Sequence, residues 1–227
     1  MRRYLYIIKE VSMEFSIWLL YISVISILIF SPGPSALLCI SDGLKFGNKK
    51  AMATILGGAI AALVLMTISA VGLGAVLVAS ENLFFAIKIA GACYLIYLGY
   101  SAWKEGSINI ASKEPDEIKP ASRSCYALFR KGFMVGISNP KDLLFFIALF
   151  PGFMNAELPQ LEQYMVLACT WFFIDCSSMF MYAALGSKVS PWLSKAENMK
   201  RVNRGVGGLF MVLGGALAVS TGMDEKA

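Results

Sequence analysis

The sequence predicts an all-α integral membrane protein with six transmembrane helices in two inverted repeats of three, the first and fourth helices being broken. Composition and apolar periodicity are the first observations behind this prediction. Of 227 residues, 57% are apolar and 15% charged, and the mean hydropathy is +0.65. Apolar windows of about 20 residues, the length that crosses a bilayer, recur along the chain. Since no stretch is left for a soluble core, we expect one domain over 1–227.

The apolar windows predict spans at 15–41, 54–79, 83–103, 133–154, 164–186 and 202–221. The first window lacks a signal-peptidase pattern, so we expect it to be retained as a span. A polar stretch over about 104–131 separates a first repeat of about 13–103 from a second of about 132–222. Its Pro, Ser, Lys and Glu content is typical of a mobile linker.

The distribution of Lys and Arg predicts the orientation in the membrane. Fourteen basic residues fall on one side, which should therefore be cytoplasmic, with both termini external. The basic residues of 1–12 oppose this orientation, and a true start at Met13 would remove them. The net charge of +5 thus reflects insertion and not a nucleic-acid partner. The fourteen are Lys45, Lys49, Lys50, Lys104, Lys113, Lys119, Arg123, Arg130, Lys131, Lys188, Lys195, Lys200, Arg201 and Arg204.

Residue types argue against catalysis and metal binding. The chain has no His, no Cys-x-x-Cys and no pair of carboxylates within one span, so a metal site lacks its usual ligands. No Gly-x-Ser-x-Gly elbow is present either. We predict no catalytic residue, metal or cofactor. An enzyme acting on lipid and a non-transporting membrane partner stay open as alternatives.

Two proline-containing breaks stand in corresponding places of the two halves. Ser31-Pro32-Gly33-Pro34 interrupts the first span and Ser138-Asn139-Pro140-Lys141 the fourth. An unpaired backbone group is costly in hydrocarbon, so such a break persists only where it is buried in protein or lines a wet cavity. The half-helix after Pro34 would direct its N–H groups at the midplane, which suits a carboxylate. We predict that the breaks meet there and form a binding site, the alternative being a kinked packing helix.

The third and sixth spans repeat one pattern of a basic residue, a glycine, an aromatic residue and a second glycine. Because each half has three spans, a duplication would invert the second half, as in many secondary transporters. Each basic residue is a candidate guide for a substrate carboxylate, or else it extends to the nearest interface. The pattern comprises Lys88, Gly91, Tyr94 and Gly99 in one span and Arg204, Gly207, Phe210 and Gly215 in the other.

Charged residues within spans are candidate site residues, because a charge at the bilayer centre costs about 2.5–3.5 kcal/mol. Lys141 and Asp175 should therefore each have a partner. Asp175 can pair with Lys141 or accept hydrogen bonds from Asn139 or Ser177, and it is a candidate proton carrier with a structural role as the alternative. Asp142 can pair locally with Lys141. The predicted site comprises Pro32, Gly33, Pro34, Asn139, Pro140, Lys141 and Asp175.

Four stretches in order resemble the LysE/RhtB family, bacterial inner-membrane exporters of amino acids and related small metabolites. They are "FSPGPSALLCISDGLKFGNKKA", "IKIAGACYLIYLGYSAW", "GFMVGISNPKDLLFFIALFPGF" and "NRGVGGLFMVLGGAL". The resemblance implies six spans in two inverted repeats and efflux driven by the proton gradient, with an amino acid, protons and the lipid bilayer as partners. Members often carry an acidic residue in the second span where this chain has Ala61 and Ala62.

The scarcity of acids in the spans favours a small neutral amino acid over lysine or arginine as substrate. The acids in or near spans are Glu14, Asp42, Asp142 and Asp175. An inorganic ion or another small metabolite is the alternative cargo. Small residues at 53, 57 and 61 predict a close helix contact, either within one chain or between two copies in a homo-oligomer.

Overall fold

The structure is a computed structural model that describes residues 13–79, 81–104, 124–155, 158–193 and 195–224. The expected start at Met13 concerns residues 1–12, which lie outside the described residues, as does most of the predicted linker. The described residues are helical without a strand, so the all-α prediction is confirmed. The helices are α1 (Phe15–Phe30), α2 (Pro34–Phe46), α3 (Asn48–Ala79), α4 (Glu81–Lys104), α5 (Cys125–Ile137), α6 (Pro140–Leu144), α7 (Gln160–Ala184), α8 (Gly186–Leu193) and α9 (Ala196–Asp224).

The first predicted span is a pair of helices with a break between them. Helices α1 and α2 meet at an angle of 56°. Ser31 and Gly33 between them have extended backbones, with φ/ψ of −76°/118° and −137°/−168°. Pro34 opens α2 at a position where its missing N–H has no intrahelical role. The sequence thus ends one helix and starts the next within four residues.

The second break, at Asn139, is followed by less regular backbone. After the short α6, the chain forms a π-helical turn at Phe145–Leu149 and a 3-10 turn at Phe150–Phe153. The half of this span that follows the break is therefore less regular than α2. The half before the break, α5, is capped by Ser124, which accepts from the backbone N–H of Ala127 at 3.2 Å.

Length and composition mark two of the described helices as able to cross a membrane. They are Asn48–Gly72 of α3, with mean hydropathy 2.2, and α7, with 1.4. The bent pair α1 and α2 meets the same test when taken as one span. Large apolar side chains are exposed along these helices, as lipid contact requires: among others Phe15, Leu19, Leu20, Ile68, Val71 and Phe173.

Helices α4 and α9 pack antiparallel through small residues. A methyl group on Gly99 would collide with Gly207 and Met211, and one on Gly214 would collide with Ala92 and Ile96. Gly207 in turn approaches the backbones of Gly99 and Trp103, so glycines lie on both sides of this contact. An added Cβ at Gly215 would meet no described atom within 4 Å.

Candidate functional site

The two broken helices lie in contact. The Asn139 side-chain amide donates to the Ser35 hydroxyl at 3.3 Å. Lys141 Nζ lies 3.6 Å from the point that a Cβ on Gly33 would occupy. The breaks therefore form one centre, built from the start of α2 and the start of α6.

The prolines of the first break leave particular carbonyl groups without partners. In an α-helix each carbonyl accepts from the N–H four residues later, and Pro32 and Pro34 have none. The carbonyls deprived in this way belong to Leu28 and Phe30. Lys141 Nζ donates to Leu28 O at 2.6 Å, and the Tyr182 hydroxyl donates to Phe30 O at 2.7 Å.

Lys141 also donates to the Ser31 carbonyl at 2.9 Å. Its ammonium group thus spans the last turn of α1 and the break itself. Lys141 and Tyr182 both come from the second half of the chain. The carbonyls at the end of the first broken helix therefore accept from donors in the other half of the chain.

Asn139 organises the second break. Its side-chain oxygen accepts from the Lys141 backbone N–H at 3.2 Å, which caps α6. Its amide donates to Asp142 Oδ2 at 2.8 Å. Sequence reasoning had left Asp142 to a local pairing with Lys141, and the geometry makes it the partner of Asn139.

Asp175 is part-buried. Among the described residues it makes no hydrogen bond or ion pair, so none of its expected partners contacts it directly. Lys141 is engaged by two carbonyl oxygens, and the Asn139 amide is engaged by Asp142 and Ser35. Ser177 is exposed. The donors expected for Asp175 are thus already used or turned away, and its carboxylate faces a cavity instead.

Two small cavities of about 20 Å³ and about 10 Å³ adjoin the breaks. Ser35, Asp142, Asp175 and Met179 line both of them. A cavity of that size holds about one water, far less than an amino acid occupies. The centre is polar, and this conformation is closed around it.

A cluster of three polar side chains closes the end that carries Lys45, Lys49 and Lys50, here called the lysine-rich end. Asp42 of α2 is 0% exposed. Its carboxylate accepts from Thr54 Oγ1 at 2.8 Å and pairs with Lys131 Nζ at 3.2 Å. Thr54 also lines the larger cavity, so the cluster lies next to the centre.

Glycines bring the backbones together at the same end. A methyl group on Gly57 of α3 would collide with the Phe129 carbonyl of α5, and one on Gly43 of α2 with Ala183 of α7. Ala61 is fully buried against Gly136 of α5. Two of the small residues predicted at 53, 57 and 61 thus make their contact within one chain.

Aromatic side chains close the opposite end. They are Tyr21, Phe145, Phe146, Phe150, Phe153 and Trp171, all buried. Ring centroids lie 4.6 Å apart for Phe146 and Trp171 and 5.2 Å apart for Tyr21 and Phe153. The π-helical and 3-10 turns supply four of the six rings, so the irregular half-helix after the second break forms most of this cluster.

Of the two candidate carboxylate guides, Arg204 on α9 is exposed, and Lys88 lies in α4 with its side chain outside the described part.

Sequence reasoning missed Ser35, Tyr182 and the pairing of Asp42 with Lys131. Only the orphaned carbonyls of Leu28 and Phe30 were readable in advance, from the prolines four positions later.

The chain matches the family described as LysE type translocator over residues 26–221. The chain belongs to this family. It is 33% identical over 207 residues to the homoserine/homoserine lactone efflux protein of Salmonella typhimurium, covering 91% of this chain and 98% of that protein. The family resemblance predicted from the sequence is confirmed.

Two further relatives share most of their length with the chain. An uncharacterized membrane protein of Vibrio cholerae is 31% identical over 208 residues, covering 92% of this chain and 99% of its own. The leucine efflux protein of an Enterobacter species is 24% identical over 186 residues, covering 82% and 86%. No solved structure matches the chain. Its membership and apolar helices make the protein a membrane protein.

Proposed function

We propose that the protein is an inner-membrane efflux transporter, and not an enzyme, that exports amino acids or close derivatives through the meeting point of its two broken helices. One observation carries the proposal. The carbonyls freed by Pro32 and Pro34 accept from donors in the other half of the chain, beside a cavity lined by Asp142 and Asp175. Relatives named as efflux proteins for homoserine, homoserine lactone and leucine support the chemical class.

The proposed architecture is one transporter domain over 1–227, with six spans in two inverted repeats. The antiparallel packing of α4 and α9 through glycines supports it, because the third spans of two inverted repeats run in opposite directions. The two breaks support it as well. The lysine-rich end is cytoplasmic and the termini are external by the distribution of basic residues.

The polar cluster at the lysine-rich end and the aromatic cluster at the opposite end would open in turn, which gives alternating access to the site. Substrate enters when the cluster of Asp42, Thr54 and Lys131 separates, and leaves when the aromatic cluster separates. Both are closed around a centre with room for about one water, so the described conformation is an occluded state between the two open ones.

The site offers complementary groups for both ends of a small neutral amino acid. Helix α2 begins with the free N–H groups of Ser35 and Ala36, both on the smaller cavity, and a helix N-terminus favours a carboxylate. Asp142 and Asp175 favour the ammonium group. The cavities beside these groups are small, about 20 Å³ and about 10 Å³, which favours a short side chain.

Proton coupling is assigned to Asp175. Its carboxylate borders both cavities without a partner among the described residues, so it can exchange a proton with water once either end opens. Ala61 and Ala62, where family members often have an acid, are buried. In this chain the proton gradient would therefore act through the fifth span and not the second.

Vesicles loaded with a panel of labelled amino acids and homoserine lactone test the proposal. Gly33→Leu fills the cavity and should abolish release, whereas Gly33→Ala should retain it, because a Cβ there meets Lys141 Nζ only at 3.6 Å. Equal insertion of both variants is the control. Full release by Gly33→Leu would overturn the site, and release of no compound on the panel would overturn the substrate class.

The finer assignments have separate readouts in the same vesicles. Asp175→Asn should remove the dependence of efflux on the pH gradient, and an unchanged dependence would leave Asp175 a structural role. If Arg204 guides a carboxylate at the cytoplasmic side, Arg204→Gln should weaken apparent affinity for internal substrate. Lys88→Gln should slow release instead, and wild-type curves for both would mean that these side chains only extend to the interface.

A further inference from the structure

The last turn of α1 presents carbonyl oxygens to a cation. Leu28 O lacks an intrahelical donor because Pro32 has no N–H, and Ser31 O lies in the extended break. The C-terminal end of a helix carries the negative end of its dipole. Oxygens at an unwound segment of this kind coordinate a soluble sodium ion or proton in other carriers built from inverted repeats.

Here an ammonium group occupies these oxygens. Lys141 Nζ lies 2.6 Å from Leu28 O and 2.9 Å from Ser31 O. The side chain comes from α6, on the far side of the break. In the part of the chain that the structure describes, Lys141 makes no ion pair with Asp142 or Asp175, although both line the smaller cavity with it.

We propose that Lys141 is a tethered cation that replaces a soluble coupling cation at the broken helix. It neutralises the carbonyl end of α1 and joins that end to α6 through an ammonium group that stays with the protein. Lys141 is thus a positioning residue that makes no ion pair with Asp142, which the Asn139 amide holds, or with Asp175. The proposed transport matters to this inference only for its activity readout.

Chemical rescue tests this assignment. Lys141→Ala removes the ammonium group and leaves space beside the two carbonyls. Efflux should fall about tenfold or more, the effect of losing one charge-assisted hydrogen bond, and added methylammonium should restore a large part of it. Tetramethylammonium has the same charge without an N–H donor and should restore nothing.

Three controls separate a bound cation from a general effect. Lys141→Met fills the space without a donor, so methylammonium should not rescue it. Lys200→Ala removes an exposed lysine on α9 and should behave as wild type with or without the amine. Replacing sodium by choline should leave wild-type efflux unchanged, because no sodium binds at these oxygens.

A thermal-unfolding measurement in detergent needs no transport. The midpoint of Lys141→Ala should rise with methylammonium concentration and stay constant with tetramethylammonium. If the wild type shows no efflux while methylammonium still raises the midpoint of Lys141→Ala, the proposed function is overturned and the tethered cation is not. Full efflux by Lys141→Ala, equal effects of both amines, or a sodium requirement in the wild type would each overturn the tethered cation.

Discussion

The two ends of the polar centre between the breaks are closed by different chemistry. At the lysine-rich end, Asp42, Thr54 and Lys131 form directional polar contacts, and glycines bring helix backbones together. At the opposite end, six aromatic side chains pack on irregular turns. The aromatic side chains themselves make few polar contacts: the Tyr21 hydroxyl reaches Leu167 O only at 3.3 Å, and the buried Trp171 indole N–H has no acceptor in the described residues.

This difference predicts how each end opens. A buried ion pair has defined partners, so the lysine-rich end must exchange them for water or remain closed. Dispersion contacts between rings are individually weak and do not require one particular partner. Lipid tails are as apolar as the rings, so the rings can repack as this end opens. The lysine-rich end should therefore switch between a closed and an open state. The aromatic end should instead adjust its packing in small steps.

The largest effect is expected from Lys131→Met, which leaves Asp42 buried and unpaired. We expect the free energy of unfolding to fall by about 3 kcal/mol, at the lower end of the range for a broken buried pair. The Lys131 side chain retains 33% exposure, which limits the loss. Unfolding by SDS in mixed micelles measures it.

Lys45→Met on the exposed face of α2 is the matched control and should change little. Adding Asp42→Asn to Lys131→Met should recover part of the stability, because no buried charge is then left without a partner. Additive effects in this double-mutant cycle would mean that the two side chains do not interact, and the polar closure would lose its basis.

The second effect concerns the backbone contacts of the lysine-rich end. Gly57→Ala should cost about 2 kcal/mol of unfolding free energy, since its methyl group would collide with the Phe129 carbonyl. The adjacent Gly58→Ala should cost nothing, because a Cβ there meets only Gly132 O at 3.9 Å. Equal costs at the two positions would contradict the close contact of α3 with α5.

The third effect tests the aromatic end. Phe146→Ala should lower the free energy of unfolding by about 1.5 kcal/mol, below the ~3–5 kcal/mol of soluble cores, because lipid also solvates the displaced ring. Phe146 is 1% exposed, whereas Phe173, the control for the same substitution, is 69% exposed. A loss as large as that of Lys131→Met would mean that the aromatic closure is not adaptable.

The smallest effect is expected for the hydrogen bond of Tyr21, which we compare with one at the lysine-rich end. Tyr21→Phe should cost about 0.5 kcal/mol or less, since its hydrogen bond is long and neutral. Thr54→Val removes a donor to a charged carboxylate and should cost about 1.5 kcal/mol. The same SDS unfolding measures both, and a reversed order would show that the aromatic end is the more polar closure.

Much of the fold was predictable because apolar windows and proline positions are local signals. The sequence places breaks at Pro32 and Pro140, and the chain turns there. The sequence does not indicate which of Gly214 and Gly215 contacts the third span, because the two glycines are adjacent. Only packing against Ala92 and Ile96 distinguishes them.

The partners within the site were not predictable from type and spacing. Asp175 was expected to pair with Lys141 or to accept from Asn139 or Ser177, yet Lys141 binds carbonyl oxygens and Asp175 lines the two cavities. A buried ammonium group can be stabilised equally by a carboxylate or by several carbonyls, and the sequence does not say which oxygens are nearer.

By itself, the sequence determined that helices would form, where prolines would end them, and which carbonyls would lose their donors, because these depend on neighbours within a few residues. The tertiary structure alone decided that Lys141 and Tyr182 would supply the missing donors. It also decided that Asp42 would meet Lys131 from a helix far along the chain. Such contacts depend on how α2, α5, α6 and α7 pack against one another. No local sequence pattern encodes the distances between residues so far apart in the chain.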